Sequence, residues 1–303
     1  MKNLILKQPM MYKVLHALIP IAIFSILLFG WRVLAVLLVA NLAAFLSEYV
    51  FVRTKPNGKV SSAVFVTGTL LGLIVPPTLP LWMVAVGSVT AIVFGKMVFG
   101  GFAMNIFNPA IVGRTFIYIA FANEMTAEWV HPFKSLPGGF AAWLSPNVVT
   151  TATPIKNSIG YPLLDLFRGT IPGSIGETSA ILILLGAIYL IVTKTAKWEI
   201  MVSTLLSMTV FSLIFYPSSE LIHLLISGGV LFGTVFMATD PITAPKKSAV
   251  IWIYGLLIGF LTVFIRKYAL WTEGFMFALL LTNSFIPLIE YGVDLATKKR
   301  VKK

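Results

Sequence analysis

Apolar runs recur along the whole chain, separated by short polar or Gly/Pro-rich joints. A helix crossing a bilayer of ~30 Å hydrocarbon needs about 20 mostly apolar residues. On that measure ten runs read as spans: residues 14–30, 33–52, 62–76, 81–98, 108–121, 179–193, 200–215, 220–239, 249–265 and 273–292. One long polar segment, residues 122–178, falls between the fifth and sixth runs. The chain therefore divides into a first membrane half (1–121), a loop (122–178) and a second membrane half (179–303) with a basic tail. The pattern predicts an all-α polytopic membrane protein.

Two spans are interrupted. The third reads Val66-Thr67-Gly68-Thr69-Leu70-Leu71-Gly72-Leu73-Ile74-Val75-Pro76-Pro77-Thr78-Leu79-Pro80, and the eighth runs from Leu231 through Gly233-Thr234 to Asp240-Pro241-Ile242-Thr243-Ala244-Pro245. Superposed at an offset of 165 residues, both show Gly-Thr, six residues, then Pro-x-Thr-x-Pro. Proline removes a helix donor and pushes its predecessor out of the α region. The two copies are five spans apart, an odd number, so they cross the membrane in opposite directions. This is the mark of an inverted five-plus-five repeat with broken helices, and such segments in matching positions point to a midplane site. The sequence thus predicts that the broken segments face each other across a shared pocket, with Gly68, Gly72 and Gly233 at the close approach and Gly259 outside it.

Composition sharpens the class. The chain is 58% hydrophobic and 11% charged, with a mean hydropathy of +0.92. Cysteine is absent, which excludes disulfides, thiol catalysis and any iron–sulfur or Cys-zinc centre supplied by this chain. His16, His131 and His223 lack ligand spacing, so no metal site is expected. The net charge of +12 does not indicate nucleic acid, because the basic residues gather at span ends. With the N-terminus in the cytoplasm, sixteen Lys and Arg fall on that side and six on the other, Arg114 lying within a span. The positive-inside rule then puts both termini in the cytoplasm and the 122–178 loop outside. The basic start of the chain shows no cleavable signal.

Candidate chemistry lies in four places. In the loop, Asn147-Val148-Val149-Thr150-Thr151-Ala152-Thr153-Pro154 presents the Thr153 hydroxyl among small neighbours, on a backbone that Pro154 keeps out of a helix. Alone, that tetrapeptide also suits an ordinary solvated turn. Asn108, before Pro109, suits the N-cap of span five, and Arg114 stands one to two turns further along. A charge inside a span is either functional or paired with a structural partner. The lead into span six, Arg168-Gly169-Thr170-Ile171-Pro172-Gly173-Ser174-Ile175-Gly176-Glu177-Thr178-Ser179, offers the Ser174 and Thr178 hydroxyls for a phosphate or a ring system rich in acceptors. Glu177 there also fits a plain helix-start carboxylate. Asp240 either caps the structure at Pro241 or binds a cation.

Three of these stretches resemble one family. Asn105-Ile106-Phe107-Asn108-Pro109-Ala110, Gly169 to Ser179 and Ala238 to Pro245 look like the signatures shared by RnfD of the Rnf electron-transport complex and NqrB of the sodium-pumping NADH:quinone reductase. The resemblance runs from about Pro9 to the last span, and the length is more similar to RnfD. It implies that Thr150-Thr151-Ala152-Thr153 is a flavinylation motif, Thr153 carrying FMN through a phosphoester bond. The family motif often reads Ser-Gly-Ala-Thr. The resemblance implies a flavin transferase acting outside the cytoplasm, which agrees with the side read from the basic residues.

It further implies a redox role: one membrane stage of an ion-translocating ferredoxin:NAD+ oxidoreductase, passing electrons between flavins and coupled to Na+ or H+ movement. Partner subunits would carry the iron–sulfur centres, other FMN and the soluble substrates' sites. A second, noncovalent flavin (riboflavin) near the broken spans, with Asn108, Arg114, Ser174, Glu177, Thr178 and Asp240 as candidate contacts, is left open. The rival class is a urea-channel-like protein or secondary transporter, which shares the architecture and has no use for an exposed flavin acceptor.

Overall fold

The computed structural model describes residues 4–55, 58–133, 138–146, 148–149, 161–177, 179–227, 229–269 and 273–301. Most of the described residues are helical. The first half comprises α1 (Pro9–Phe29), α2 (Arg32–Val52), α3 (Ala63–Leu73), α4 (Leu81–Ile92, continued by a π turn over Val93–Met97) and α5 (Pro109–Ala120). Two short helices, α6 (Ala122–Thr126) and α7 (Leu163–Arg168), lie in the loop. The second half comprises α8 (Ala180–Val192), α9 (Trp198–Phe215), α10 (Leu221–Ile226), α11 (Val230–Phe236), α12 (Ser248–Tyr268) and α13 (Gly274–Val301). Five of these, α1, α2, α9, α12 and α13, are long and apolar enough to cross a bilayer unaided. The stretches carrying α10 and α11 form a sixth candidate, bent by 48°. Helices α3, α4, α5 and α8 are shorter apolar helices, and together these elements occupy the ten expected positions in order.

Span three is short because its sequence stops it. Helix α3 has 11 residues, about 16 Å at 1.5 Å per residue, and Ile74-Val75-Pro76-Pro77 follows at once. Its start is held by the N-terminal segment: β1 (Ile5–Leu6) pairs in parallel with β2 (Val60–Ser61). The Gln8 carboxamide oxygen accepts from the Ala63 amide at 3.1 Å.

The packing repeats between halves. Helix α2 packs on α4 and α4 on α5; correspondingly α9 packs on α12 and α12 on α13. The contacts of α1 with α3, and of α3 with α5, recur as α8 with α11 and α11 with α13. Across the boundary, α1 meets α8 and α5 meets α13, which join first to first and last to last. This is the arrangement of two equivalent five-span units around one axis.

Hydrogen bonds and ion pairs sort the loops into two faces. One face joins residues 4–8 to 60–63, Lys13 to Thr193, Lys197 to Lys246, and Lys247 to Asp294. It carries both described ends of the chain. The opposite face is covered by the loop. Trp31 and Arg32 donate to the Ala142 and Trp143 carbonyls, Phe133 and Ser145 donate to Leu28 and Phe29, and β3 (Trp129–Val130) pairs antiparallel with β4 (Val148–Val149).

The glycines do not act as expected. A Cβ on Gly68 would strike Asn41 of α2 at 2.8 Å, and one on Gly233 would meet the Phe275 ring of α13. Gly259, expected to be tolerant, sits where α12 crosses α9: a Cβ there would lie 2.6 Å from Ser207. These glycines let helices approach within each half. Replacing Gly259 with Leu should therefore destabilise the fold by about 1–3 kcal/mol or more through overpacking. The same change at Gly292, which has open space around it, should be neutral. Thermal unfolding of the detergent-solubilised protein checks this, and equal stability of the two variants would contradict the close crossing.

Candidate functional site

The broken spans converge on one recess at the face that carries the chain ends. Val66, Thr67 and Leu70 of α3 line one side, and Phe236, Thr239, Asp240, Pro241 and Ile242 the other. Counting its open mouth and the solvent there, the space between these side chains is about 590 Å³. The mutual approach expected of the two interrupted segments is thus present, although their glycines point elsewhere.

Polar groups are set into this recess by local chain chemistry. Asn108 caps α5: its Oδ1 accepts from the Ala110 amide at 3.0 Å and the Ile111 amide at 3.4 Å. The cap satisfies both of those amides. Asn105 donates to the Phe107 carbonyl at 3.1 Å. Asp240 accepts from the Ile242 amide at 3.2 Å and the Thr243 hydroxyl at 3.3 Å, so it closes the turn over Pro241 and caps no helix. Lys96, borne on the π turn, reaches Glu48 of α2 at 2.6 Å and Ser61 Oγ at 2.5 Å. The other Glu48 oxygen accepts the Ser61 amide at 2.8 Å. Both members of that pair are almost fully buried.

A second cluster lies toward the loop-covered face. Arg114 pairs with Glu177 at 2.7 Å and with Glu273, just before α13, at 2.6 Å. It also donates to the Ser174 hydroxyl at 3.4 Å. Arg266, at the end of α12, donates to the Leu224 and Ser227 carbonyls at 2.9 and 3.0 Å. Two arginines and two glutamates thus balance in charge within the apolar interior, where an unpaired charge would be expensive.

The residues singled out in the sequence therefore divide. Asn108 and Asp240 stand at the recess, while Arg114, Ser174 and Glu177 belong to the second cluster. Glu177 serves as Arg114's partner, and Ser179 caps α8 by accepting from the Leu182 amide at 3.5 Å. Thr153 and Thr178 lie outside the described residues. Sequence reasoning passed over Glu48, Lys96, Arg266 and Glu273. Lys96 is one of the sixteen basic residues assigned to the cytoplasmic side and Arg266 one of the six on the other, yet both are buried; without them the basic residues number fifteen against five. The signal available for Glu48 was a carboxylate within an apolar run.

Fold and site together define a polytopic membrane protein built from two matched five-span units, with an interior recess between broken helices. The model of the NQR2, RnfD, RnfE family matches residues 3–299, and the chain belongs to that family. It is similar to NqrB of the Na+-translocating NADH-quinone reductase from Ectopseudomonas mendocina, 39% identical over 255 residues, covering 80% of this chain and 62% of that protein. The same-named protein of Chromohalobacter salexigens is 35% identical over 274 residues, covering 84% and 64%. That of Azotobacter vinelandii is 36% identical over 263 residues, with the same coverage. The chain spans 62% of the length of the first of these relatives.

Removing one member of a buried ion pair strands its partner, at about 3–5 kcal/mol. Lys96→Met should accordingly destabilise the protein strongly, and the double variant Lys96→Met/Glu48→Gln should recover most of the loss. Chemical unfolding of the single and double variants measures this coupling. A double variant no more stable than the single would mean that the pair does not act as a unit.

Proposed function

We propose that this chain is a flavin-bearing electron-transfer subunit of an ion-translocating redox complex. Family membership over residues 3–299 is the observation that carries this reading. FMN is attached as a phosphoester to Thr153, four residues beyond β4, by a flavin transferase. A second, noncovalent flavin occupies the recess between the broken spans. The donor set there suits an isoalloxazine: Val66, Leu70, Phe236 and Ile242 offer apolar walls to a planar ring, and Thr67, Asn105 and Thr239 offer hydrogen-bonding groups at its edges. A flavin in such a site supplies one- and two-electron transfer. The chain's own task is to fix the ring, exclude water and hold Lys96 and Asp240 close by as charges that respond to it. Sites at the two faces would carry electrons over much of the ~30 Å hydrocarbon layer within one subunit.

The finer assignment is an Rnf-type ferredoxin:NAD+ oxidoreductase, in which other subunits carry the iron–sulfur centres and the soluble substrates' sites. The second reading is a Na+-translocating NADH-quinone reductase, favoured by the names of the relatives at 35–39% identity. Membrane vesicles separate them. Ferredoxin-dependent NAD+ reduction lost on deleting this chain supports the first, and NADH-dependent quinone reduction lost in the same way supports the second. Following Na+ and pH in those vesicles identifies the coupling ion.

Thr153→Ala should abolish flavin fluorescence of the denatured band, remove one FMN-sized adduct from the intact mass and stop electron flow through the complex. Thr151→Ala should retain the adduct. A Thr153→Ala protein that keeps its covalent flavin rules the acceptor out.

The face that carries the chain ends is cytoplasmic in this reading, following the basic-residue asymmetry. A cysteine introduced at Lys156 should react with an impermeant maleimide from outside, and one at Lys59 should not. The opposite labelling would invert the scheme.

A further inference from the structure

The segment that joins the two halves turns inward before α8 begins. Ser174, Ile175 and Gly176 are buried, and with Glu177 they reach both interrupted spans. The Gly176 amide donates to the Leu73 carbonyl at 2.6 Å and the Ile175 amide to the Val75 carbonyl at 3.1 Å, which are acceptors freed where α3 stops. Ser25 of α1 donates to the Ile175 carbonyl at 2.7 Å. On the other side, the Glu177 carboxylate lies against Gly229, which adopts φ +70° at the bend between α10 and α11. A Cβ on Gly229 would strike that carboxylate.

We propose that Gly173–Glu177 is a plug that closes the passage between the two broken spans at the loop-covered face, with the Glu177–Arg114 ion pair as its latch. Three features make the closure reversible. The plug is held by individual hydrogen bonds, and it belongs to no helix. Its one large apolar side chain is Ile175, and a Cβ on Gly173 at its outer end would meet nothing within 4 Å, which leaves room for a hinge. Arg114 keeps Glu273 at 2.6 Å when Glu177 leaves, so release does not strand a buried cation, while the departing carboxylate moves toward water. An ion driven through the two-fold region would cross this face only with the latch open. That last step rests on the ion-translocating reading above; the plug itself does not.

The natural absence of cysteine makes the test clean. With Ser174→Cys, buried in the closed plug, an impermeant thiol reagent should react slowly from the outer side, and at least tenfold faster when Glu177→Gln is added. A Ser174→Cys thiol that reacts at the same rate in both backgrounds overturns the latch. Should Glu177→Gln fail to assemble, the pair Val75→Cys/Ile175→Cys decides. Its oxidation in the intact complex should abolish Na+ or H+ uptake by vesicles, reversibly on reduction, with flavin content unchanged. Undiminished uptake in the cross-linked complex overturns the plug. If the parent complex moves neither ion, the functional reading fails, whereas the thiol rates still decide the plug.

Discussion

Breaking a helix inside a membrane releases backbone carbonyls where no water can take them up. Much of the polar chemistry in this chain answers that constraint. Where span three stops, Arg32 reaches across from the start of α2 and collects the Pro77, Thr78 and Leu79 carbonyls at 2.7–3.0 Å. Leu73 and Val75 are met by amides of the connecting segment. Where span eight bends, Arg266 collects Leu224 and Ser227. Guanidinium suits this task because its planar fork offers several donors at once and keeps its charge. Buried Glu177 and Glu273 are tolerable in turn because both pair with Arg114.

The two-fold repeat shows in these roles more clearly than in residue identity. Lys96 and Arg266 stand at the C-terminal ends of the equivalent spans four and nine, and each secures the lead-in to the half-helix of its own unit. Lys96 holds Ser61 ahead of α3 and Arg266 holds Ser227 ahead of α11. Asn108 and Glu273 precede the equivalent α5 and α13, one as a cap and the other as an ion-pair partner. Equivalent positions have kept a polar function while exchanging its chemistry, so a repeat search by identity finds only the Gly-Thr and Pro-x-Thr-x-Pro frame.

That explains what the sequence disclosed. Spans were legible because apolar runs must be about as long as the bilayer is thick, and the breaks were legible because proline forbids helix wherever it falls. Helix ends moved by a few residues: span three, read as 62–76, is helical over Ala63–Leu73. Pairings were not legible. Arg114 lies 63 residues from Glu177 and Lys96 lies 48 from Glu48, so only the fold brings them together. Gly259 was misread for the same reason, since a glycine on an apolar helix looks alike whether it faces lipid or a neighbouring backbone. The division of the candidate residues between two faces also needed the fold, because chain order interleaves them.

The strongest departure from symmetry is informative in itself. Two equivalent units related by an axis in the membrane plane should offer equivalent recesses at both faces. One face has its recess between α3 and the end of α11. At the other, the corresponding region holds Ser174, Ile175 and Gly176, all buried, with Arg114 and its two carboxylates around them. The connecting loop has no counterpart in either unit, so it is the element free to break the symmetry, and it does so where the second opening would lie. A fold whose halves are interchangeable gains a direction from the one segment that is not repeated.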